Sequence, residues 1–519
     1  MHSNDTHNDP ENGSRSDTVI AVAGAAGFIG SALTRSLMAS NRHVVGLSRA
    51  ERWTEHPQLS WRQCDLFLLT DAMAALEGVQ VAVYLVHSMQ PSARLTQASF
   101  MDMDLIAADN FARAAAAQGV EHIVYLGGLM PPEDEGDGLS DHLRSRLEVE
   151  QTLAAHGVPV TTLRAGLILG PGGSSTQLLI DLVQRLPVLA CPPWTDNMFQ
   201  PIALGEMVEL LHYAIDHPEL AGQAWDVGTE EAISYRELLK RTAHMLGLER
   251  TFVSVPFTFR NLAVHITTLL VDEPRSLVEP LLASLQHTML ARDRRLQERA
   301  GTEPISIDEG LRSALEDDPL DLPGRRRARR RELRGVRSVQ RMTLPEGKSA
   351  AWACEEYMRW LPRFTLGLIA TERNAHGGWD FKIRWTHLIL LSFYTDADQS
   401  NTPDRTVMCI TDGVGLLVRD HPTDRLEFRQ VLGERTLLVA VQDFQPRLWW
   451  ILYLFTQAQL HLGVMLAYGY HLRHWRPKAA NTPLQQTSPP PPIAPVETPV
   501  QAPVQGSSQQ SSSEHASPR

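Results

Sequence analysis

The first half of the chain alternates between short apolar runs and longer helical segments. TVIAVAG is followed by FIGSALTRSLMAS, and the runs HVVGLS, LSWRQC, VQVAVYLV, EHIVYLG and VPVTTLR come next, with segments such as DMDLIAADNFARAAAAQG between them. Strands that alternate with helices need crossover connections, which place helices on both faces of a parallel sheet. We therefore predict an α/β fold with a doubly wound parallel sheet, followed by a mostly helical lobe that ends near residue 318.

Length and composition indicate several domains. The 519 residues are 43% hydrophobic, which allows a large core and about three domains. We predict a disordered leader (1–17), a first domain (18–318), an Arg-rich linker (319–335), a second domain (336–475) and a disordered Pro-, Ser- and Gln-rich tail (476–519).

Cysteine usage and charge restrict the partners and the compartment. The four cysteines lie far apart without a C-x-x-C pair, which argues against a disulfide scaffold or a thiolate zinc site and favours a reducing, cytoplasmic location. The net charge of −12 argues against a nucleic-acid partner. The polar N-terminus lacks the apolar core of a secretory signal, and no H-E-x-x-H or comparable spacing predicts a metal.

The second half has a different pattern. KSAAWACEEYMRWLPRF is typical of a helix, and FKIRWTHLILLSFYT, DRTVMCITDG, RLEFRQVLG and RTLLVAVQDF are typical of successive antiparallel strands. The stretch 448–472 predicts one long helix that is apolar enough to raise the question of a membrane span. Because Gln457, Gln459, His461 and His471 interrupt it, we favour a helix that packs across a curved sheet.

The block Arg325–Arg331 contains six arginines in seven positions. Such a dense run of like charges favours a solvated linker, and a patch for anionic lipid or nucleic acid is the less favoured alternative. Together with the apolar 448–472 segment, the block could attach the protein to a membrane surface, which we also rank below the solvated linker.

The sharpest site signal is Gly24-Ala25-Ala26-Gly27-Phe28-Ile29-Gly30, which follows the first strand and opens a helix. Glycines permit the tight turn and a close approach of the backbone to a diphosphate, and the helix N-terminus offers free N–H groups. The G-x-x-G-x-x-G spacing after a first strand therefore predicts dinucleotide binding through Gly24, Gly27, Phe28, Ile29 and Gly30.

The end of the second strand bears on cofactor preference. A carboxylate is expected there for the ribose hydroxyls of NAD, but the strand ends in Ser48-Arg49 and the first acid is Glu51. An arginine can pair with a 2′-phosphate. We therefore predict NADP, with NAD as the alternative.

Together these motifs resemble the extended and atypical short-chain dehydrogenase/reductase superfamily, whose nucleotide-binding domain has the Rossmann fold. The resemblance rests on GAAGFIG, Arg49, Cys64-Asp65-Leu66 and Val86-His87-Ser88. More narrowly, YLVHSM, LSDHLRSR and LPVLACPPWTDNMFQPIAL resemble a bacterial group of NAD(P)-binding proteins fused to a C-terminal domain of unknown function. RSVQRMTLP, MRWLPR and NTPDRTVMCITDG resemble that second domain.

The resemblance implies roles for further residues. Asp65 would contact adenine, with Leu66 and Val86, His87 and Ser88 lining the cofactor. Arg164 and Gly166 would lie at the nicotinamide end, and Trp194 and Gln200 would form the outer wall of the substrate cleft.

The C-terminal domain would be α+β with a helix-grip fold, whose space between sheet and helix often holds apolar ligands. The aromatic side chains that could line such a space, or simply pack in the core, are Trp449, Trp450, Tyr453, Phe455, Tyr468 and Tyr470.

The chain departs from the superfamily at its catalytic positions. The superfamily uses a serine after the fifth strand and a Tyr-x-x-x-Lys pair on the next helix. Here Gly127 and Gly128 stand in place of the serine, the first beside the cofactor and the second beside the substrate. His142 and Arg146 replace the pair, aligned by Glu150.

Two interpretations of this departure stay open. In the first, the protein is an oxidoreductase in which His142 is the acid/base beside the nicotinamide and Arg146 orients the ribose, with a small, apolar or quinone-like substrate. In the second, the chain binds NADP(H) without hydride transfer and serves as a sensor.

Overall fold

The computed structural model describes residues 18–87, 94–132, 138–256, 279, 282–315, 325–326, 335–375, 377–386, 388–411, 415–418, 423–433 and 435–476. The predicted leader, most of the Arg-rich linker, nearly all of the predicted tail and Ser88 lie outside these residues.

The first half contains fifteen strands and nine helices within the described residues. The strands are β1 (Val19–Ala23), β2 (His43–Ser48), β3 (Arg52–Trp53), β4 (Leu59–Gln63), β5 (Val81–Tyr84), β6 (Leu95–Gln97), β7 (His122–Gly128), β8 (Val160–Ala165), β9 (Ile168–Leu169), β10 (Val188–Cys191), β11 (Met198–Phe199), β12 (Ile202–Ala203), β13 (Ala224–Val227), β14 (Ile233–Ser234) and β15 (Thr251–Ser254). The helices are α1 (Phe28–Ala39), α2 (Leu69–Leu76), α3 (Phe100–Ala117), α4 (Asp141–Ala154), α5 (Ser174–Arg185), α6 (Leu204–Asp216), α7 (Tyr235–Met245), α8 (Arg295–Ala300) and α9 (Ile307–Leu315).

Seven of these strands form one parallel sheet. Their order is β13-β8-β7-β5-β1-β2-β4, and every neighbouring pair is parallel. Helices α1 and α6 cover one face, and α2, α3 and α4 cover the other. The predicted Rossmann-type sheet is therefore confirmed. The strand order reverses between β1 and β5, and ligands of such sheets bind in the crevice at that point.

Local signals explain where several helices begin. The Ser234 hydroxyl accepts a hydrogen bond from the Glu237 backbone N–H at 3.2 Å, which caps the first turn of α7, as the Ser-x-x-Glu spacing favours. Ser99 caps α3 in the same manner, since its hydroxyl accepts from the Asp102 N–H at 3.1 Å.

Where the structure describes it, the second half contributes eight strands and three helices. The strands are β16 (Arg325–Arg326), β17 (Val336–Thr343), β18 (Ile369–Arg373), β19 (Trp379–Ile383), β20 (Ile389–Thr395), β21 (Arg405–Ile410), β22 (Arg425–Val431) and β23 (Thr436–Phe444), and the helices are α10 (Ala350–Phe364), α11 (Trp450–Phe455) and α12 (Gln457–Arg473). The backbone of β16, at the start of the arginine block, pairs antiparallel with β3 of the first half.

A second sheet joins the two halves. Its order is β18-β19-β20-β21-β22-β23-β17-β6. The strands from β17 onward pair antiparallel, as predicted, but β6 comes from the first half and pairs parallel with β17. Helices α10 and α12 pack on one face, while side chains of the other face enter the core around α2 and α3. Both sheets belong to one compact unit that extends to Trp475. The domain boundary at 319–335 stays a prediction, and so does the helix-grip fold of the second half.

The prediction of one long helix over 448–472 was wrong. Thr456, with φ −122° and ψ −82°, separates α11 from α12. Along α12 one stripe is buried (Ala458, Met465, Tyr468 and Leu472). Of the six predicted aromatic residues, Tyr453 and Tyr468 are buried, whereas Trp449, Phe455 and Tyr470 are largely exposed. Among the described residues, Trp450–Arg473 is the one helical stretch that length and composition would allow to cross a membrane, and only 17% of its most apolar window is buried.

Charged side chains fill much of the contact between the two halves. Arg429 on β22 is almost fully buried. Its Nη1 donates to Asp109 of α3 at 2.7 Å and its Nη2 to Asn110 at 2.7 Å, and it also pairs with Glu427 on its own strand. Burial alone would raise the pKa values of Asp109 and Glu427, but the arginines beside them outweigh burial and hold both pKa values well below the ordinary range.

Candidate functional site

The glycine turn is a tight junction between β1, α1 and β5. Gly24 has φ +89°, and a Cβ there would lie 2.9 Å from the Leu85 carbonyl oxygen. A Cβ on Gly30 would lie 2.1 Å from the Gly24 carbonyl oxygen, and one on Gly27 would lie 3.1 Å from it. The three glycines therefore allow the turn and the start of α1 to pack directly on the neighbouring backbone.

The first turn of α1 presents free backbone donors. The Gly27 N–H is bonded to the Gly24 carbonyl at 2.8 Å, and the first α-helical bond runs from the Ser31 N–H to the Gly27 carbonyl at 2.9 Å. Within the described chain, the N–H groups of Phe28, Ile29 and Gly30 make no backbone hydrogen bond. Such a turn at the reversal of strand order can bind a diphosphate.

The residues predicted at the adenosine end are differently placed. Arg49 follows β2 and is exposed, and its guanidinium has no ion-pair partner among the described residues. The Ser48 hydroxyl accepts from the Ala50 N–H at 3.2 Å. Asp65 is buried, and its carboxylate accepts from Arg337 Nη2 of β17 at 2.8 Å. The second sheet thus holds the acid that the resemblance assigns to adenine, and the contact with adenine stays a prediction. Leu66, next to it, is also buried.

A chain of three side chains lies beyond the ends of β5 and β7. His87, three residues after β5, contacts the Asp104 carboxylate of α3 through Nδ1 at 2.6 Å. Its other ring nitrogen, Nε2, is 3.3 Å from Nδ1 of His142 on α4. The Ser145 hydroxyl donates to the same Asp104 oxygen at 3.0 Å. These contacts form a relay, Asp104–His87–His142, which connects α3, α4 and the loop after β5.

Protonation states in the relay follow from burial and hydrogen bonding. Burial lowers the pKa of His142 well below its ordinary value, and the charge of Arg146 and the nearby His87 lower it further. Burial and Arg146 also lower the pKa of His87, against the opposing effect of Asp104. Both rings are therefore neutral at pH 7. If His87 donates through Nδ1 to Asp104, its Nε2 must accept from His142 Nδ1–H. The remaining nitrogen, His142 Nε2, then carries a lone pair and bonds to no described residue.

Arg146 lies one helical turn after His142. A Cβ on Gly128 would contact the Arg146 side chain at 3.6 Å and Leu143 at 3.4 Å, so the end of β7 lies directly against this helix. The Tyr125 hydroxyl of β7 donates a hydrogen bond to the Arg146 carbonyl at 3.1 Å, which joins β7 to α4 at this point. Within the described chain the Arg146 guanidinium pairs with no carboxylate, so it is free to bind an anion or a ribose hydroxyl.

Several other predicted site residues have structural partners. Arg164 makes a two-pronged ion pair with Glu150, at 3.0 and 2.8 Å. The Gln200 amide donates to the Thr229 carbonyl at 2.8 Å and accepts from the Ala291 N–H at 2.7 Å.

The other predicted residues of this end also pack on their neighbours. Trp194 packs near Tyr235, with ring centroids 6.4 Å apart. Gly166 lies against the Gln200 backbone, while Val86 and Gly127 are partly buried at the ends of β5 and β7. The structure thus brings His87, His142, Arg146 and Gly128 together, whereas the polar groups of Arg164 and Gln200 are engaged elsewhere.

Two members of the site were missed from the sequence. Asp104 and Ser145 are both buried. The signal for Asp104 was an acid inside the helical run DMDLIAADN, because buried acids on an apolar helix normally have a specific partner.

Within the described residues no group of three His, Cys, Asp or Glu side chains could hold a metal ion.

Comparison with known proteins gives matches to the first half. Residues 20–228 match the model of the NAD dependent epimerase/dehydratase family. The Auxiliary protein GraX of Staphylococcus aureus is 31% identical over 145 residues, which are 28% of this chain and 42% of that protein. A UDP-glucose 4-epimerase of Vibrio cholerae is 22% identical over 257 residues, or 46% of this chain and 78% of the relative. The chain thus spans less than half of the length of GraX.

Solved structures match at low identity. A nucleoside-diphosphate-sugar epimerase from Staphylococcus aureus has a TM-score of 0.46 at 17% identity, covering 57% of this chain and 99% of the other. An NADPH-dependent quinone oxidoreductase from Escherichia coli has a TM-score of 0.43 at 17% identity, covering 56% of this chain and 98% of the other. The matched family model ends at residue 228 and includes β6 but none of the other strands of the second sheet.

Proposed function

Residues 20–228 belong to the NAD-dependent epimerase/dehydratase family, and from this premise we propose that the protein is an NAD(P)-dependent oxidoreductase in which His142 moves the proton. The observation that carries the proposal is the Asp104–His87–His142 relay, which ends in an imidazole nitrogen that bonds to no described residue. The substrate would be a small carbonyl compound or the corresponding alcohol.

The residues at the turn fit a dinucleotide. The space next to Gly24 and Gly30 is so narrow that a Cβ would collide with backbone, and three free N–H groups at the start of α1 can bind the diphosphate. Arg49 is exposed after β2 and a guanidinium can pair with a 2′-phosphate, which supports our proposal of NADP rather than NAD. The bound dinucleotide supplies or accepts the hydride.

The relay accounts for proton transfer. His142 Nε2 accepts the hydroxyl proton of an alcohol substrate, and in the reduction the same nitrogen returns that proton to the oxygen. Asp104, through His87, orients the His142 ring and stabilises the positive charge that forms on the histidine pair. The Arg146 guanidinium offers N–H donors and no acceptor, so its role is to hold the ribose or a developing oxyanion.

The surroundings of the relay favour a substrate of low polarity. The Phe100 ring lies edge-on to His87 with centroids 5.9 Å apart, and Leu143, next to His142, is buried. A carbonyl group between such side chains would find few polar partners besides His142 and Arg146. We therefore propose a quinone-like or similarly apolar carbonyl compound.

The purified protein should consume NADPH when a suitable carbonyl substrate is present. The test is a panel of quinones, enones, aldehydes and sugar-nucleotide ketones, followed by the decrease in NADPH absorbance. Turnover with an apolar carbonyl supports the proposal. Binding of NADPH without turnover of any panel member would contradict the oxidoreductase assignment and favour the sensor described below.

Gly30→Ala should abolish dinucleotide binding. The added Cβ would lie 2.1 Å from the Gly24 carbonyl oxygen, so the turn must open and the free N–H groups move apart. We expect NADPH affinity to fall about a hundredfold or more, because a diphosphate site depends on the placement of these donors. Isothermal titration measures the change. Gly463→Ala is the matched control, since no atom lies near its Cβ position, and unchanged affinity of Gly30→Ala would remove the turn from the site.

Arg49→Ala should weaken NADP binding and leave NAD binding nearly unchanged. A lost charge-assisted bond to the 2′-phosphate costs about 1.5–3 kcal/mol, or roughly tenfold to a hundredfold in Kd. Comparison of Kd values for the two cofactors in wild type and variant measures the effect. Lys240→Ala removes an exposed helical cation elsewhere and serves as the control. An equal loss for both cofactors would contradict the predicted preference.

A second candidate function, an NADP(H) sensor, is favoured by one contact. Asp65, the acid assigned to adenine, is held by Arg337 of the second sheet at 2.8 Å. A cofactor that competes for Asp65 would therefore act on the second sheet. The sensor predicts that NADP and NADPH bind with different affinities and alter the hydrogen exchange of β17. Equal affinities without a change in exchange would exclude it.

A further inference from the structure

We propose that the end of the second sheet where β18, β19 and β20 meet helix α11 docks on the surface of an anionic phospholipid bilayer. This docking surface consists of the residues 363–369, 383–389, 415–418 and 445–456 that the structure describes. It is independent of the proposed reaction and of the arginine block.

The four segments of the docking surface are adjacent in space. The Arg384 N–H donates to the Leu368 carbonyl at 3.1 Å, which joins the first segment to the second. The Leu416 N–H donates to the Ile389 carbonyl at 3.2 Å, and the Arg447 N–H to the Leu417 carbonyl at 3.1 Å. These backbone bonds place all four segments at one end of the sheet.

Large apolar side chains project from each segment. Leu366 is 93% exposed, Trp385 75%, Trp449 77% and Phe455 79%. Leu368, Leu388, Leu416, Ile451 and Leu452 are also about half exposed or more. Single exposed apolar residues are normal, but a contiguous group of this size indicates an interaction site.

Helix α12 extends the apolar surface. One stripe of α12 packs on the sheet, yet outward residues such as Leu460 and Leu466 are equally apolar and largely exposed. The exposed positions of α12 also include Tyr470, together with the polar Gln459 and Arg473. The outer side of α12 is therefore amphipathic, as is usual for a helix that lies at a membrane interface.

The charge of the docking surface selects the occupant. The charged residues described in its four segments are Arg363, Arg384 and Arg447, and no Asp or Glu occurs among them. Arg94 also stacks on the Trp450 ring at 3.9 Å. The net charge of the chain is −12, so this concentration of cations is local. Arginines beside tryptophans suit the interface of an anionic bilayer, whereas a two-fold contact between copies would set the same arginines against each other.

The test uses the full chain and vesicles of phosphatidylcholine with or without phosphatidylglycerol. We expect the wild type to sediment with the mixed vesicles, and binding to weaken in high salt and with pure phosphatidylcholine. Trp385→Ser with Trp449→Ser should lower the partition coefficient about thirtyfold, and Arg363→Gln with Arg384→Gln about tenfold. Trp53→Ser, at an exposed tryptophan outside the docking surface, is the control. Unchanged thermal unfolding of the variants shows that they fold.

Three outcomes would overturn the proposal. In the first, the wild type does not bind mixed vesicles at any salt concentration. In the second, binding is equal in wild type and in both double variants. In the third, light scattering shows a dimer that the tryptophan substitutions dissociate, and the protein does not bind vesicles. That result would assign the docking surface to a second copy of the chain.

Discussion

His142→Asn should lower the rate of NADPH-dependent carbonyl reduction about 10²–10⁴-fold, the usual contribution of a general acid/base. The asparagine amide can still donate to His87 in place of Nδ1–H, but it has no counterpart of the proton-accepting Nε2. Because the glycine turn is untouched, the Kd for NADPH should change little. Steady-state kinetics and isothermal titration on the same preparation measure the two effects.

An exposed histidine provides the control for this substitution. His244 also lies on a helix, near the end of α7, but it is exposed, and His244→Asn should leave turnover unchanged. If His142→Asn retains full activity, the proton moves through another group and the relay is structural. If both turnover and NADPH binding are lost, His142 contributes to the cofactor site instead.

The pH profile gives an independent readout of the same residue. Burial holds the pKa of His142 well below its ordinary value, so the ring is already unprotonated at neutral pH. Alcohol oxidation needs the unprotonated ring, and its rate should stay level from alkaline pH down through about 6.5, the ordinary histidine pKa, and fall only at lower pH. Carbonyl reduction needs a proton and should accelerate as the pH falls.

Arg429→Met should destabilise the protein by about 3–5 kcal/mol, the usual cost of removing one partner from a buried ion pair. Arg429 lies at the contact of α3 with the second sheet, and its loss removes one counter-charge from each of the buried carboxylates Asp109 and Glu427, which keep Arg113 and Arg405 respectively. Urea denaturation followed by tryptophan fluorescence measures the change. A destabilisation below about 1 kcal/mol would mean that the contact between the halves does not depend on this arginine.

Surface and neutralised variants calibrate the effect of Arg429. Arg373→Ala breaks an ion pair with Glu355 in which both side chains are about half exposed, and it should cost less than about 1 kcal/mol. Adding Asp109→Asn to Arg429→Met should restore part of the stability, since Arg113 keeps its pair with Asp404, whereas adding Glu427→Gln should not, because Arg405 would lose its buried partner.

Acid should reduce the stability of the wild type more than that of the variant. In the wild type the pKa values of Asp109 and Glu427 are held below their unfolded values, so their contribution is complete above about pH 4.3, the ordinary Glu pKa, and is lost as the pH falls below it. In Arg429→Met both pKa values should rise relative to the wild type, because each carboxylate loses one arginine, and less stability is then lost as the pH falls. The stability difference between the two proteins should therefore shrink in acid.

Local features of the molecule could be predicted from the sequence. The glycine turn depends on backbone sterics within seven residues, the cap at Ser234 on a contact three residues away, and the parallel sheet on the alternation of short apolar runs with helices. His142 and Arg146 were predicted from the resemblance to the superfamily's Tyr-x-x-x-Lys pair, and their spacing of four residues places both on one face of α4.

Only the tertiary structure decided how distant residues meet. His87 lies 17 residues from Asp104 and 55 from His142, and Arg337 reaches Asp65 across 272 residues. Likewise, β6 leaves the first half to pair with β17, and helix 448–472 breaks at Thr456 where the chain turns onto the sheet. The sequence encodes turns, caps and periodicities through interactions between near neighbours. The packing of the two sheets into one unit decides which buried charges pair and which apolar faces stay exposed. These contacts join residues far apart in the sequence, so each depends on the packing of all the others.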